Sequence, residues 1–577
     1  MFTFLFLFLI KSNNSSKFKK QYPLSIQTNF ENYNFTLRWN VDWKEQKINF
    51  ALSFPHSTPY ETVMIGFSDH GEYEKVDYCM LSRYSLYDGF IDNNLNLVPD
   101  IQQDCDNFTN INNEIYFFER KFVTCDPRDY AMDTGQSQFL IALFHSDGFF
   151  NLNDAIDKKF LYAIILDENN YENEKTKHSD DVSVVFYGAD NTIISNDTTS
   201  YKCFIKRIDD EILSKKHHII EFRGFVTKGN EHIVHHMEVF LCIGSTIKDN
   251  MEYEGSCHPK KRPKKSSSCS KVIGAWAFGA TPFQYPDEAG SSFGGEGYPA
   301  YLMVEIHYNN EKNESGVSDS SGILITYTDK LRKFDAGIME LGLIYSDANS
   351  IPPKQKSFPL TGYCVPECSQ YLPTHGIYVF ATQLHAHLTG KKLFTSHFRN
   401  GVKIGEINRA NHYSPHWQVI KKLKKPIHVR KGDYLSTTCV YDTSDKENFV
   451  YGGYGIEDEM CVNYIHYYPE SVIEVCKSAI NNDTLEDFFI EHIPTLEKNN
   501  DLTINQKYQK LPINEEINEN LQELYAVSNL NIHCLGHDGK YIGNDKSFWE
   551  NVKKPRTKKG GIFAKTISDY ECLTINT

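Results

Sequence analysis

FTLRWNVDWKEQKINFALSF, residues 35–54, decides the fold class. Phe35, Leu37, Trp39, Val41 and Trp43 alternate with polar residues, and after KEQK the residues Ile48, Phe50, Leu52 and Phe54 repeat the alternation. A period of two puts all the apolar side chains on one face of an extended chain, which predicts a half-buried hairpin. Val63, Ile65 and Phe67 carry the pattern on. Working outward, residues 25–165 read as one antiparallel β-sandwich. The polar run DENNYENEKTKHS (167–179) reads as part of a linker over 166–198. Strand-like segments with turns rich in Gly, Asn and Asp resume at Tyr201, break at Ile351-Pro352-Pro353, and continue from Leu360 to Ser478. Helical periodicity appears only in LEDFFIEHI (485–493) and INEEINENLQELYAVSNL (513–530). The expectation is a mainly β protein with two further β-domains, 199–350 and 351–515, and a short mixed or helical tail over 516–577.

The composition narrows the function. A net charge of -15 opposes a general nucleic-acid or anionic-membrane surface. Two basic runs, PKKRPKK (259–265) and KKPRTKK (553–559), read as solvated loops. The 14 cysteines are scattered without CxxC pairs, which suggests a disulfide framework formed in an oxidising compartment. Sequons at Asn34, Asn107, Asn196, Asn313 and Asn482 agree with a glycoprotein of the secretory pathway, either secreted or held in a vesicle or the endoplasmic reticulum. The apolar run Phe2–Ile10 is too short to span a bilayer, so residues 1–20 read as a signal peptide or short anchor. Membrane association is expected only if that leader stays uncleaved.

Three histidine clusters and one methionine carry the chemistry. They are His235-His236 in VHHMEVFLC (234–242), His307 in YLMVEIHY (301–308), His385 and His387 in QLHAHLTGKK (383–392), and Met460 in GIEDEMCVNYIHYYP (455–469). Five imidazoles and a thioether exceed one tetrahedral site but divide into two sets of three. A thioether is a poor zinc ligand and a good cuprous one, which points to copper. His385 and His387 are two apart and project together from a strand. His235 and His236 are adjacent and would point apart, so a shared metal requires a bulge or a strand end there. A lone HxH is more often a packing feature, and three imidazoles with a water also make a catalytic zinc centre. The second, sulfur-bearing set in the same chain argues against zinc.

The segments KHHIIEFRGFVTKGNEHIVHHMEVFLC (216–242), AWAFGATPFQYPDEAGSSFGGEG (275–297), FATQLHAHLTGKK (380–392), NHYSPHW (411–417) and EDEMCVNYIHYYPE (457–470) resemble the copper type II, ascorbate-dependent monooxygenases. The likeness runs from about Asn34 to Cys572, and the N-terminal sandwich resembles a DOMON domain. The resemblance implies two antiparallel, jelly-roll-like copper domains and two copper ions per chain, with ascorbate as reductant and O2 as co-substrate. His235, His236 and His307 would hold an electron-transferring copper. His385, His387 and Met460 would hold the copper that meets oxygen, which makes His385 catalytic. Tyr201 falls on an active-site tyrosine of the family, against the alternative of a buried aromatic beside a disulfide.

The same resemblance implies the disulfides Cys203–Cys257, Cys242–Cys269, Cys364–Cys476, Cys439–Cys461, Cys368–Cys534 and Cys125–Cys572. Cys79 and Cys105 are left to pair together or to link subunits. The family's peptide-amidating branch carries an arginine where this chain has Gln383, so a carboxylate substrate is disfavoured. An aromatic amine such as tyramine or dopamine, hydroxylated at the benzylic carbon, is the expected substrate, with Tyr464 and Tyr467 as candidate pocket walls. The alternatives are an orphan monooxygenase of the X type acting on another hydrophobic substrate, and a non-catalytic secreted copper- or ligand-binding protein. No nucleic-acid partner is expected, and association into homo-oligomers is left open. His217, His218, His412 and His416 are expected in supporting roles.

Overall fold

The structure is a computed structural model describing residues 21–165 and 182–557, apart from short stretches within them such as 54–61, 69–72, 133–135, 146–150, 278–281 and 497–500. It divides into two compact units, the first built mainly from residues up to 175, the second from 176 onward.

In the first unit the hairpin forms as the alternation requires. Tyr33–Asp42 pairs with Lys47–Ser53 in the register Leu37↔Leu52 and Trp39↔Phe50. A five-stranded sheet carries these strands with Leu24–Phe30, Ile115–Lys121 and Cys105–Ile111. A six-stranded sheet centred on Thr62–Ser68 and Gln136–Phe144 supplies the other layer. Phe35, Leu37, Trp39, Ile48, Phe50 and Leu52 are buried in one cluster with Ile65, Phe67, Phe139 and Ile141. Cys79 is joined to Cys105. Trp43, Phe54, the leader (1–20), residues 166–181 of the expected linker, Cys125 and Cys572 lie outside the described residues, and the rest of that linker carries the strands Ser183–Gly188 and Thr192–Ile193.

The second unit is mainly β, and its largest sheet has eleven strands. That sheet passes from one half of the unit to the other through a parallel pair, Ala289–Phe293 against Phe334–Leu343. A five-stranded sheet faces it in the first half, in the order Tyr253–Ser256, Thr199–Arg207, Tyr301–Asn309, Val234–Cys242, Cys269–Ala277. A four-stranded sheet faces it in the second half, where Tyr434–Tyr441 pairs with both Phe358–Cys364 and Gly390–Arg399. Val239, Val304 and Ile306 fill the first core with Ile219 and Ile323. Met339, Leu341, Val379 and Ile465 fill the second with Val365 and Leu435. Cys203–Cys257 and Cys242–Cys269 brace the five-stranded sheet, and Cys364–Cys476, Cys368–Cys534 and Cys439–Cys461 tie the second half.

Both helical stretches are present, as Asn482–His492 and Glu515–Val527. Asn481 and Asn514 cap them by accepting from the Thr484 and Ile517 amides, satisfying donors left free at a helix start. After the second helix the chain returns as a strand, Leu530–Leu535, which places Cys534 opposite Cys476. No helix among the described residues is long and apolar enough to cross a membrane.

His466 sits among aromatic rings in the core, its ring centroid 5.1 Å from Phe283 and 6.3 Å from Phe380. Burial pulls its pKa down to about 3, and its Nδ1 has no hydrogen-bond partner among the described residues. An unfolded histidine titrates near 6.5, so below about that pH the unfolded chain holds a proton the folded one lacks. The contribution of His466 is therefore intact above pH ~6.5 and is lost as pH falls toward 3. His466→Leu is expected to flatten this acid loss by up to about 1.4 kcal/mol per pH unit, read from urea midpoints measured from about pH 7 down to 5.

Candidate metal centres

The first histidine set is assembled by a one-residue offset in strand pairing. Along Val234–Cys242 and Tyr301–Asn309, Val234 opposes Tyr308 and His236 opposes His307, so the register shifts across His235. His235 is the extra residue of a bulge, which frees two consecutive side chains from pointing to opposite faces. The sequence demanded a bulge or a strand end here, and the bulge is present. One ring nitrogen of each of His235, His236 and His307 lies within 4.8 Å of the others. His235 Nδ1 is 2.9 Å from His236 Nδ1, which is 3.4 Å from His307 Nδ1. On the far side of its ring, His307 Nε2 is 2.7 Å from the Thr199 hydroxyl. Burial, then the neighbouring imidazoles of His307, His235 and His385, push the His236 pKa down to about 3. Three imidazoles converging through one nitrogen each, with His307 held from behind by Thr199, are a donor set for a metal cation.

Tyr201 opposes His307 across the sheet, and the two rings are parallel within 1° at 4.2 Å. Two residues along, Glu238 and Glu305 face each other across the paired strands. Burial, then Glu305, pushes the Glu238 pKa up to about 7. Burial also raises Glu305, and the Arg262 charge opposes the rise.

The second set forms where Ile377–His385 ends. The rings of His385 and His387 stand 5.2 Å apart at 88°. His385 Nδ1 lies 2.5 Å from Gln418 Oε1, and His387 Nδ1 lies 2.8 Å from the Asp458 carbonyl, so both rings keep Nε2 for a ligand. Burial, then His387 and Lys477, lowers His385 to about 4 against the opposing hydrogen bond from Gln418. Met460 stands just before Val462–Tyr468, the strand paired with that of His385. Its carbonyl accepts from the Tyr441 hydroxyl at 2.7 Å.

Glu459 holds the two stretches together. Its carboxylate accepts from the His387 amide at 2.9 Å, the Thr389 amide at 2.6 Å, the Thr389 hydroxyl at 2.7 Å and the Met460 amide at 3.2 Å. Sequence reading did not single out Glu459, Gln418 or Thr199. The acid directly before the methionine in EDEMC was the one available signal.

His385 is among the charges that lower His236, and Glu238 is among those that raise Tyr464. Tyr464 lies between Gln383 and Glu340 across three adjacent strands, near His385, and its hydroxyl is 3.4 Å from that of Tyr345. The Tyr345 hydroxyl donates to Glu340 at 3.3 Å, Lys477 pairs with Glu340, and the Lys477 ammonium sits 3.5 Å from the Tyr345 ring centroid. Tyr467 points the other way. It is buried in the core and its hydroxyl donates to the Ile473 carbonyl, so it is no pocket wall. The Gln383 amide donates to the Gln418 carbonyl at 3.1 Å. His218 is fixed between the Asp335 carboxylate and the Arg332 amide, and His217 packs on Tyr327. His412 and His416 lie outside the described residues.

Three family models match segments of this chain. Residues 187–315 match the model described as "Copper type II ascorbate-dependent monooxygenase, N-terminal domain", 334–489 match its C-terminal domain, and 31–145 match the DOMON domain. A tyramine beta-hydroxylase of Caenorhabditis briggsae is 41% identical, covering 94% of this chain and 94% of that protein. A human dopamine beta-hydroxylase is 38% identical over 86% of this chain and 82% of its own length. A mouse DBH-like monooxygenase protein 1 is 30% identical over 75% and 69%.

Proposed function

The chain belongs to the copper type II ascorbate-dependent monooxygenase family, and on that premise we propose that it hydroxylates the benzylic (β) carbon of a phenylethylamine such as tyramine or dopamine. It is a copper monooxygenase of the phenylethylamine β-hydroxylase type, and it uses two copper ions, ascorbate and O2. We assign His235, His236 and His307 to the electron-transferring copper, and His385, His387 and Met460 to the copper that meets oxygen. Bound there, copper supplies one-electron storage at the nitrogen set and oxygen chemistry at the sulfur-bearing set.

The observation carrying this reading is that one chain holds two unlike donor sets, three imidazoles converging within 4.8 Å of one another and two further imidazoles 5.2 Å apart, tied through Glu459 to the Met460 backbone. Thr199, Gln418 and the Asp458 carbonyl each hold one ring nitrogen and so set ring direction, and the two acceptor oxygens, Gln418 Oε1 and the Asp458 carbonyl, call for a proton on Nδ1 of His385 and His387. Tyr201 holds His307 flat by stacking. Gln383 offers no cation to a carboxylate, and with Glu340 already paired to Lys477 the acidic group left near Tyr464 is Glu238. That balance suits an ammonium group. Six disulfides among the described residues support a place in the secretory pathway.

The test is metal analysis together with product identification. Two coppers per chain are expected, with oxygen uptake matched one to one by β-hydroxylated tyramine or dopamine. The acid analogue of tyramine, with a carboxylate in place of the amine, is expected to turn over poorly. Two coppers but only uncoupled oxygen uptake across a phenylethylamine panel would transfer the reading to an X-type enzyme with another substrate.

A further inference from the structure

We propose that a basic cavity beside Tyr201 is the docking site for the ascorbate anion, and that the electron enters the three-histidine centre through the stacked pair Tyr201–His307. This rests on the assignment of His235, His236 and His307 to the electron-transferring copper.

The cavity encloses about 540 Å³, within the range of small-ligand pockets, and its lining includes Tyr201, Lys202, His258, Lys261, Ser200 and Ser256. Its one carboxylate, Asp197, is engaged by the Ser195 hydroxyl at 2.6 Å. Lys261 forms no ion pair among the described residues. Ser200 Oγ is buried without a hydrogen-bond partner among the described residues. Lys202 is held in place, its ammonium donating to the Ile193 carbonyl at 2.6 Å.

Lys261 comes from PKKRPKK (259–265), and Lys202 comes from the strand Thr199–Arg207. The loop is anchored at both ends, because Cys257 is bonded to Cys203 and Cys269 to Cys242. Arg262 reaches inward to 3.3 Å from the Met303 sulfur. A disulfide-tethered run of five cations in a chain of net charge -15 concentrates positive potential at one place, which attracts a small anion.

The path onward is short. Tyr201 lines the cavity and is 42% exposed, while its ring lies flat on His307 at 4.2 Å. A reductant in the cavity is therefore one aromatic ring away from a proposed copper ligand. The ascorbate monoanion gives up one electron and its remaining enediol proton to become the radical anion. The electron reduces one Cu(II) to Cu(I), and the proton leaves to water on the open side. Serine hydroxyls suit the enediol oxygens, and the lysines suit the negative charge.

The test uses the full chain carrying two coppers, with Lys202→Glu/Lys261→Glu as the variant. Loss of the Cu(II) electron paramagnetic resonance signal is followed anaerobically after rapid mixing. For the wild type the rate is expected to saturate with ascorbate. In the variant the half-saturating ascorbate concentration should rise about tenfold or more, while reduction by the cation hexaammineruthenium(II) is unchanged or faster. Saturation-transfer NMR of ascorbate on the reduced, diamagnetic holoenzyme should lose its signal in the same variant. Lys261→Glu alone, which leaves the Lys202 bond intact, should shift the same way by a smaller factor. Unaltered ascorbate kinetics, or equal slowing by both reductants, would overturn the proposal. A wild-type chain binding fewer than two coppers would overturn the assignment beneath it, which is recognised before any reductant is added.

Discussion

Met460→Ile is expected to lower turnover by about 10³-fold or more, the loss of some 4 kcal/mol of transition-state stabilisation, with the fold retained. The two side chains are similar in volume, so the stability change should stay below about 1.5 kcal/mol. What is lost is the one sulfur donor, in a loop already fixed by the Tyr441 hydroxyl, Glu459 and the neighbouring Cys439–Cys461 bond. Copper content should fall from two ions toward one per chain, and the histidine-only centre should still accept an electron from ascorbate. Metal analysis, single-turnover reduction and product formation separate these outcomes. Full activity in the variant would remove Met460 from the mechanism.

Glu459→Ala should be the most damaging substitution at a residue that is not itself a proposed ligand. The Glu459 carboxylate is buried and accepts four hydrogen bonds, three from the His387–Thr389 stretch and one from Met460. Removing it strands those donors without water, at a cost of about 3–5 kcal/mol. It also unties the HAH segment from the methionine loop, although 70 or more residues separate them in sequence. Glu459→Gln is the discriminating companion, because it keeps the volume but turns donor groups toward donors. Copper affinity of the sulfur-bearing site is expected to fall about 10–100-fold in Glu459→Gln, with the three-histidine site unchanged. Titration of the second copper by competition with a chelator reads this directly. Equal weakening of both sites would mean that Glu459 only stabilises the fold.

The parts of the molecule governed by local periodicity were legible in the sequence. Alternation over Phe35–Leu52 names the face that becomes the first core, and the adjacency of His235 and His236 demands the irregularity that the register shift supplies. Tyr464 and Tyr467 mark the limit. Three residues apart on one strand, they must face opposite sides, and only Tyr464 reaches the His385 surface while Tyr467 enters the core. Thr199, Gln418 and Glu459 act only through partners 33 to 108 residues away, and no short-range pattern records such pairings. The basic run at 259–265 is mostly exposed, as a solvated loop should be, but that Lys261 lies beside Tyr201 and Lys202 of a distant strand is again a long-range pairing.

The extra residue at His235 has a further consequence. Which way two imidazoles point depends there on whether the count of residues along an edge is odd or even. The centre is thus encoded in chain arithmetic as well as in residue identity. A descendant that kept every histidine but lost one neighbouring codon would still match a motif search, yet one nitrogen donor would be turned toward the opposite face. Among distant relatives, length through this short span is therefore a sharper sign of a working centre than the letters HH themselves.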